Sequence, residues 1–91
     1  MAERRAYRVC GRVQGVGFRW WAQRMATGLG VCGAVWNEES GTVRVDAWAD
    51  AVTLDELERL LENGPPGARV DAVERLDPPA APQPTDFRIA R

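Results

Sequence analysis

Between Tyr7 and Val13 the side chains alternate, with Tyr7, Val9, Gly11 and Val13 on one face and Arg8, Cys10 and Arg12 on the other. A period of two with one solvated face predicts a β-strand. The stretch Gln14-Gly15-Val16-Gly17 breaks that pattern. Beyond it Phe18, Ala22, Met25, Ala26 and Leu29 fall on one stripe of an α-helix, with Gly28 and Gly30 as stop signals. Val31, Gly33 and Val35 alternate with Cys32, Ala34 and Trp36, and the run Thr42 to Trp48 alternates again with Val43, Val45 and Ala47 on its apolar side. The polar segment Asn37-Glu38-Glu39-Ser40-Gly41 between them predicts a hairpin. Thr53-Leu54-Asp55-Glu56 has the form of a capping box, with Val52 and Leu57 spaced as a hydrophobic staple, so a second helix is expected to begin at Thr53. It would bury Leu54, Leu57, Leu60 and Leu61 and stop at Gly64, ahead of Pro65 and Pro66. Val70 to Leu76 reads as a fourth strand. Asp77 to Pro84 must run extended, because its prolines allow neither helix nor ladder pairing. Phe87 and Ile89, flanking Arg88, predict a short last strand.

The order strand, helix, strand, strand, helix, strand buries its apolar faces most simply with both helices on one side of an antiparallel sheet. The expected fold class is therefore α+β, a ferredoxin-like two-layer βαββαβ sandwich with a short C-terminal strand, in one domain covering residues 1–91.

Composition narrows the chemistry. The chain has 91 residues and a net charge of -1, so no overall field draws it to nucleic acid or to an anionic membrane. All 12 basic residues are Arg, and neither Lys nor His is present. Schiff-base chemistry, Ser-His and Cys-His nucleophile pairs and His-ligated metal are thereby excluded. No stretch approaches the roughly 18 apolar residues that span a bilayer, and the start lacks the apolar run of a signal peptide, so a cytoplasmic location is expected. Cys10 and Cys32 are too few and too far apart for a CxxC pair or a disulfide framework, and are expected as free thiols.

The segment Gly11 to Arg19 places a strand end, a glycine loop, a helix start and an arginine within nine residues. Gly15 and Gly17 can adopt backbone conformations that turn successive N–H groups inward as an anion nest. A helix N-terminus adds unsatisfied amides and the positive end of its dipole, and Arg19 adds a planar fork for two phosphoryl oxygens.

GRVQGVGFR at Gly11 to Arg19 resembles the signature of the acylphosphatase family, and GAVWNEESGTV at Gly33 to Val43 resembles its second signature, with Asn37, Gly41 and Val43 at the expected spacing. The likeness extends over Ala26 to Gly30, Gly64 to Val70 and Phe87 to Ile89. It departs at Ala49, where the second signature ends in glycine, and at Ser40, where Asp is frequent. The resemblance implies hydrolysis of an acyl phosphate to a carboxylate and inorganic phosphate, which would be product and inhibitor, with no metal, no other cofactor and no phosphoryl-enzyme. The family's phosphate-binding arginine falls on Arg19 and its water-orienting asparagine on Asn37. Its loop amides fall on Gly15, Val16, Gly17, Phe18 and Arg19. A free-standing monomeric enzyme is expected, without nucleic-acid or membrane partners.

Other residues admit plainer readings. Trp36 and Trp48 share the face opposite the helices with Arg8, Arg12 and Arg44, a mixture that could stack RNA bases or serve self-association. Negative net charge and the lack of an RNA-binding consensus favour tryptophans that cover one another and the arginine stems. Trp21 reads as core. Trp20 either edges the substrate mouth or is covered by the proline-rich return. Arg12 and Gln14 could touch substrate, whereas Glu38 and Glu39 read as a solvated turn. The alternative function is a non-catalytic ferredoxin-like module that binds an anion or a partner.

Overall fold

The computed structural model describes residues 2–78 and 80–90. Seven elements follow in order: β1 (Glu3–Arg12), α1 (Phe18–Leu29), β2 (Cys32–Asn37), β3 (Val43–Ala49), α2 (Ala51–Asn63), β4 (Arg69–Leu76) and β5 (Phe87–Ile89). They form a five-stranded sheet of order β4-β1-β3-β2-β5 with both helices packed on one face. The expected ferredoxin-like sandwich is therefore present. One correction applies to the sheet: β5 pairs with β2 in parallel, whereas the other four strands are antiparallel neighbours.

Chain direction explains that exception. Asn37 and Val9 are both register partners of Val43, so the tip of the β2–β3 hairpin lies at the same end of the sheet as the loop leaving β1. Running antiparallel to β1, β4 finishes at the opposite end, which is where β2 begins. The segment after β4 crosses the sheet at that end, where Pro78, Ala81 and Pro82 share a groove with Arg4 and Trp48. A strand entered from there must run beside β2 in the same direction. Pro79, within the stretch expected to be extended, lies outside the described residues.

Alternation along the strands directs Tyr7, Val9, Val35, Val43, Val45 and Ala47 to the helices, and all are fully buried. Phe18, Ala22 and Ala26 of α1 and Leu54, Leu57 and Leu61 of α2 complete the core, with Phe87 closing it beside β2. Each large side chain buried in this way contributes about 1.5–3 kcal/mol before entropic costs. Charge is placed without disturbing this layer. Arg5, on the helix side of β1, donates to Asp55 of α2 at 2.7 Å, and Arg75 of β4 donates to Glu58 at 2.7 Å.

The start of α2 differs from the expected one. The helix begins at Ala51, and Asp50 caps it by accepting from the Thr53 backbone N–H at 2.8 Å. Thr53 therefore lies inside the first turn instead of capping it. Val52 is 80% exposed and forms no staple with Leu57. The strand ends also move slightly, with β1 beginning at Glu3 and β4 at Arg69.

On the outer face Trp36 lies under the Arg44 guanidinium, 5.6 Å from the ring centre. Trp48 is only 8% exposed and lines a groove of about 310 Å³ with Pro82 and Pro84. The two tryptophans are thus covered by different partners, one by an arginine and one beside the proline-rich crossing.

Between Cys10 and Gly11 the β1–β4 register shifts, a bulge that bends the chain into the following loop. Gly11 has φ 130°, and a Cβ there would stand 2.1 Å from the carbonyl oxygen of Arg69. Gly28 is exposed within α1 and has open space around it. We expect Gly11→Ala to cost roughly 3 kcal/mol or more in urea unfolding, through strain and steric clash together. Gly28→Ala should instead stabilise the protein by about 0.5–1 kcal/mol. Equal effects from the two substitutions would contradict this account of the bulge.

Candidate active site

The loop from β1 to α1 is built to leave its amides open. Gly15 (φ 75°) and Gly17 (φ 76°, ψ 19°) both occupy the left-handed region. A Cβ at either would meet nothing within 4 Å, so the requirement for glycine is conformational. Gly17 is the N-cap of α1 and supplies no capping side chain. The helix's first backbone bond runs from the Trp21 N–H to the Gly17 carbonyl at 3.0 Å. The backbone amides of Gly15, Val16, Gly17, Phe18 and Arg19 find no backbone acceptor among the described residues. The result is a short arc of N–H groups at the positive end of a 12-residue helix.

Side chains around this arc have separate tasks. Phe18 is buried and meets Trp21 edge-on, with ring centres 5.3 Å apart, so it anchors the helix start while its amide stays in the loop. Val16 packs against the core from outside. Arg19 is half-buried in the first turn and has no carboxylate within 4 Å among the described residues. Arg12, at the exposed end of β1, also lacks a carboxylate at that distance, whereas Arg8, Arg44 and Arg69 are each paired. Trp20 is 68% exposed, beside Arg19 in sequence, and the proline-rich crossing leaves it uncovered.

Asn37 is the last residue of β2, where the strand opens into the hairpin, and it is exposed. Its side chain makes no hydrogen bond within 3.5 Å to the described residues. A carboxamide in this state can both donate and accept toward a solvent molecule.

Gln14 joins the two parts of the site. Its Nε2 donates to the Glu38 carbonyl at 2.8 Å and to the Thr42 carbonyl at 3.0 Å, fastening the glycine loop to the base of the hairpin that carries Asn37. Gln14, a candidate substrate contact from its place in the sequence, gives its amide N–H groups to the hairpin. Only the register between loop and hairpin, which alternation does not encode, could have revealed this.

Glu38 also requires correction, since it is not a solvated turn residue. Arg8 donates to both of its carboxylate oxygens, at 2.9 and 3.2 Å, and the Thr42 hydroxyl donates to Oε1 at 2.7 Å. These donors, Arg8 first, hold its pKa at about 2, well below the usual carboxylate value of 4.5. Glu39 stays exposed, as expected.

The groove of about 620 Å³ bounded by Arg4, Trp48 and Pro82 lies at the other end of the sheet and includes neither Arg19 nor Asn37. Among the described residues no three His, Cys, Asp or Glu side chains are grouped as metal ligands. No helix among them is long and apolar enough to cross a membrane.

Open amides, an arginine without a carboxylate partner and a hairpin tied to the same loop define a protein suited to handling a tetrahedral oxyanion. Residues 5–89 match the family model described as acylphosphatase, and the chain belongs to the acylphosphatase family of enzymes. It is 49% identical over 88 residues to an acylphosphatase of Nitratidesulfovibrio vulgaris, covering 94% of this chain and 88% of that protein. Its fold superimposes on the acylphosphatase structure from Coxiella burnetii with TM-score 0.90 at 30% identity, over 98% and 93% of the two chains. For the acylphosphatase from Bacillus subtilis the TM-score is 0.85 at 29% identity, with both chains fully covered.

The depressed Glu38 pKa has a definite sign in stability. A carboxylate whose folded pKa lies below its unfolded value stabilises the fold fully above the unfolded value, near 4.5, and that contribution fades as pH falls through about 2. Glu38→Gln should therefore melt below the parent protein at pH 6, with the gap closing toward pH 2. A gap that stays constant over that range in thermal melts would show that the ion pair does not stabilise the fold.

Proposed function

We propose that this acylphosphatase cleaves the carboxyl-phosphate bond of its substrate by direct attack of water, with Arg19 and the amides of residues 15–19 holding the phosphoryl group and Asn37 aiming the water. The supporting observation is the uncapped loop and first turn of α1, with Arg19 inside it and the Asn37 hairpin fastened to it through Gln14.

An acyl phosphate is a mixed anhydride, and its carboxylate leaves readily. Catalysis therefore needs position and charge stabilisation more than strong acid-base help. Directed N–H groups and a guanidinium fork complement the oxygens of phosphorus as charge redistributes on them. They provide the positive charge that a metal ion would otherwise bring. The Asn37 carboxamide accepts a hydrogen bond from the water and so turns its oxygen toward phosphorus, opposite the leaving carboxylate. A phosphorus–oxygen bond forms to water as the bond to the acyl oxygen breaks. The water's proton passes to a phosphoryl oxygen, and the products are a carboxylate and inorganic phosphate. No residue becomes phosphorylated.

A cytoplasmic, monomeric state accompanies this reading. Cys10 and Cys32 are both free and half-buried, which suits a reducing compartment. Among the described residues the exposed large apolar side chains, Trp20 and Val52, lie in the first turns of α1 and α2, at opposite ends of the helix layer, and do not build one apolar patch for a second copy.

The test is benzoyl phosphate hydrolysis in EDTA. The parent protein should turn over under chelation and be inhibited competitively by inorganic phosphate. Arg19→Lys and Asn37→Ala should each lower kcat/KM by roughly 100-fold or more with unchanged thermal melts, since a point charge does not replace the fork and nothing else aims the water. Activity abolished by EDTA and restored by added metal would refute the mechanism, as would an Asn37→Ala variant of parental rate.

A further inference from the structure

Asn37 makes no side-chain bond of its own to the described protein, so its aim depends on the backbone that carries it. That backbone is held from the face of the sheet opposite the helices. The next residue, Glu38, is fixed at every polar group it has. Its N–H donates to the Thr42 carbonyl at 2.9 Å, and its carbonyl accepts from Gly41 N–H at 3.1 Å and from Gln14 Nε2 at 2.8 Å. Its carboxylate accepts two bonds from Arg8 and one from the Thr42 hydroxyl. Arg8 lies on β1, the strand that leads into the glycine loop, and β3 separates it from β2 in the sheet. The Arg8–Glu38 pair therefore spans β3 and joins the strand feeding the phosphate loop to the residue beside Asn37.

We propose that Arg8 and Glu38 are positioning residues, a two-point brace that holds Asn37 in line with the phosphate loop. The inference rests on the proposed water-aiming role of Asn37 and adds the side chains that set its aim. A backbone link through Gln14 fixes the distance between loop and hairpin. The bidentate ion pair fixes the hairpin's orientation, because two parallel N–H···O bonds resist rotation where one bond does not. Neither side chain is needed to hold the phosphoryl group, which falls to the amides and Arg19. Loss of the brace should therefore appear in the chemical step and not in phosphate binding. Displacement of a reacting group by about an ångström is sufficient to cost up to about 100-fold in rate.

The experiment measures kcat and KM for benzoyl phosphate, the inhibition constant of inorganic phosphate and the melting temperature in Arg8→Ala, Glu38→Ala, the double variant, Glu38→Gln and Asn37→Ala. Arg8→Ala and Glu38→Ala should each lower kcat by roughly ten-fold, with KM and phosphate inhibition within about two-fold of the parent. The double variant should fall no further than Glu38→Ala alone, because the two side chains act as one unit. Glu38→Gln should recover part of the loss, since its amide oxygen still accepts from Arg8 or Thr42. If Glu38→Ala does not fold, Arg8→Ala and Glu38→Gln carry the test. Unchanged kcat in the brace variants, with activity lost in Asn37→Ala, would overturn the brace alone. Multiplying effects in the double variant, or a matching rise in KM and in the phosphate inhibition constant, would overturn it as well. Full activity in Asn37→Ala would defeat the reading of Asn37 itself and the brace with it.

Discussion

The uncapped N-terminus of α1 is the constraint around which the rest of the molecule is arranged. An ordinary helix start gains about 0.5–2 kcal/mol from a side chain that accepts its first amides. This protein uses such a cap on α2, where Asp50 accepts from Thr53, and omits it on α1, where Gly17 has no side chain to offer. A carboxylate at residue 17 would occupy the same amides and repel an incoming anion. The omission leaves α1 without a stabilising side-chain cap at its N-terminus, and its neighbours make up the difference. Phe18 and Ala22 are fully buried one turn apart, and Trp21 packs edge-on against Phe18. The Gly11 bulge sets the strand's exit against β4, and Gln14 fastens the loop to the hairpin. The loop is thus held from both sides while its N–H groups stay open.

Much of this was legible because its physics is periodic or local. Alternation located four strands, the leucine and alanine stripes located two helices, and two glycines ahead of a helix with an arginine located the loop whose amides are left open. The start of α2 was misread for a reason internal to the code. Thr53 with Glu56 fits a capping box, but Asp50 with Thr53 places an equally good acceptor one turn earlier, directly after β3. The structure decides between them through the Asp50 cap itself, with Val52 left in water where a staple to Leu57 would have covered it. The parallel pairing of β5 was hidden because it follows from where the proline-rich segment crosses, which is a property of the whole sheet. Glu38 and Gln14 were hidden for the same kind of reason. Their partners, Arg8 and the hairpin carbonyls, are at least 24 residues away or belong to the backbone, and no spacing rule announces them.

The arginines divide into those paired with carboxylates and those, Arg12 and Arg19 among them, without such a partner among the described residues. Arg5 and Arg75 tie the sheet to α2, while Arg8, Arg44 and Arg88 meet carboxylates from its outer face and edge. Those pairs, together with Arg44 over Trp36 and the proline-rich crossing beside Trp48, occupy the surface that sequence alone had left open to RNA bases or a second copy. Arg19 has no such partner among the described residues.

This division gives the two faces of the sheet different work. The helix face holds the fold through close-packed apolar contacts that are indifferent to charge. The outer face holds orientation through bonds that are directional, and directional bonds are what the proposed aiming of a water by the Asn37 carboxamide would require. A hairpin tip is ordinarily among the more mobile parts of a fold, because few apolar contacts reach it. Asn37 stands at the start of such a tip, where packing cannot fix it, and the charged network around Glu38 supplies the rigidity that the core does not extend so far. On the proposed mechanism the arginines and carboxylates of the wet face follow from the chemistry: water would have to reach Asn37, which is exposed, and an exposed residue is held in place most firmly by hydrogen-bonded neighbours.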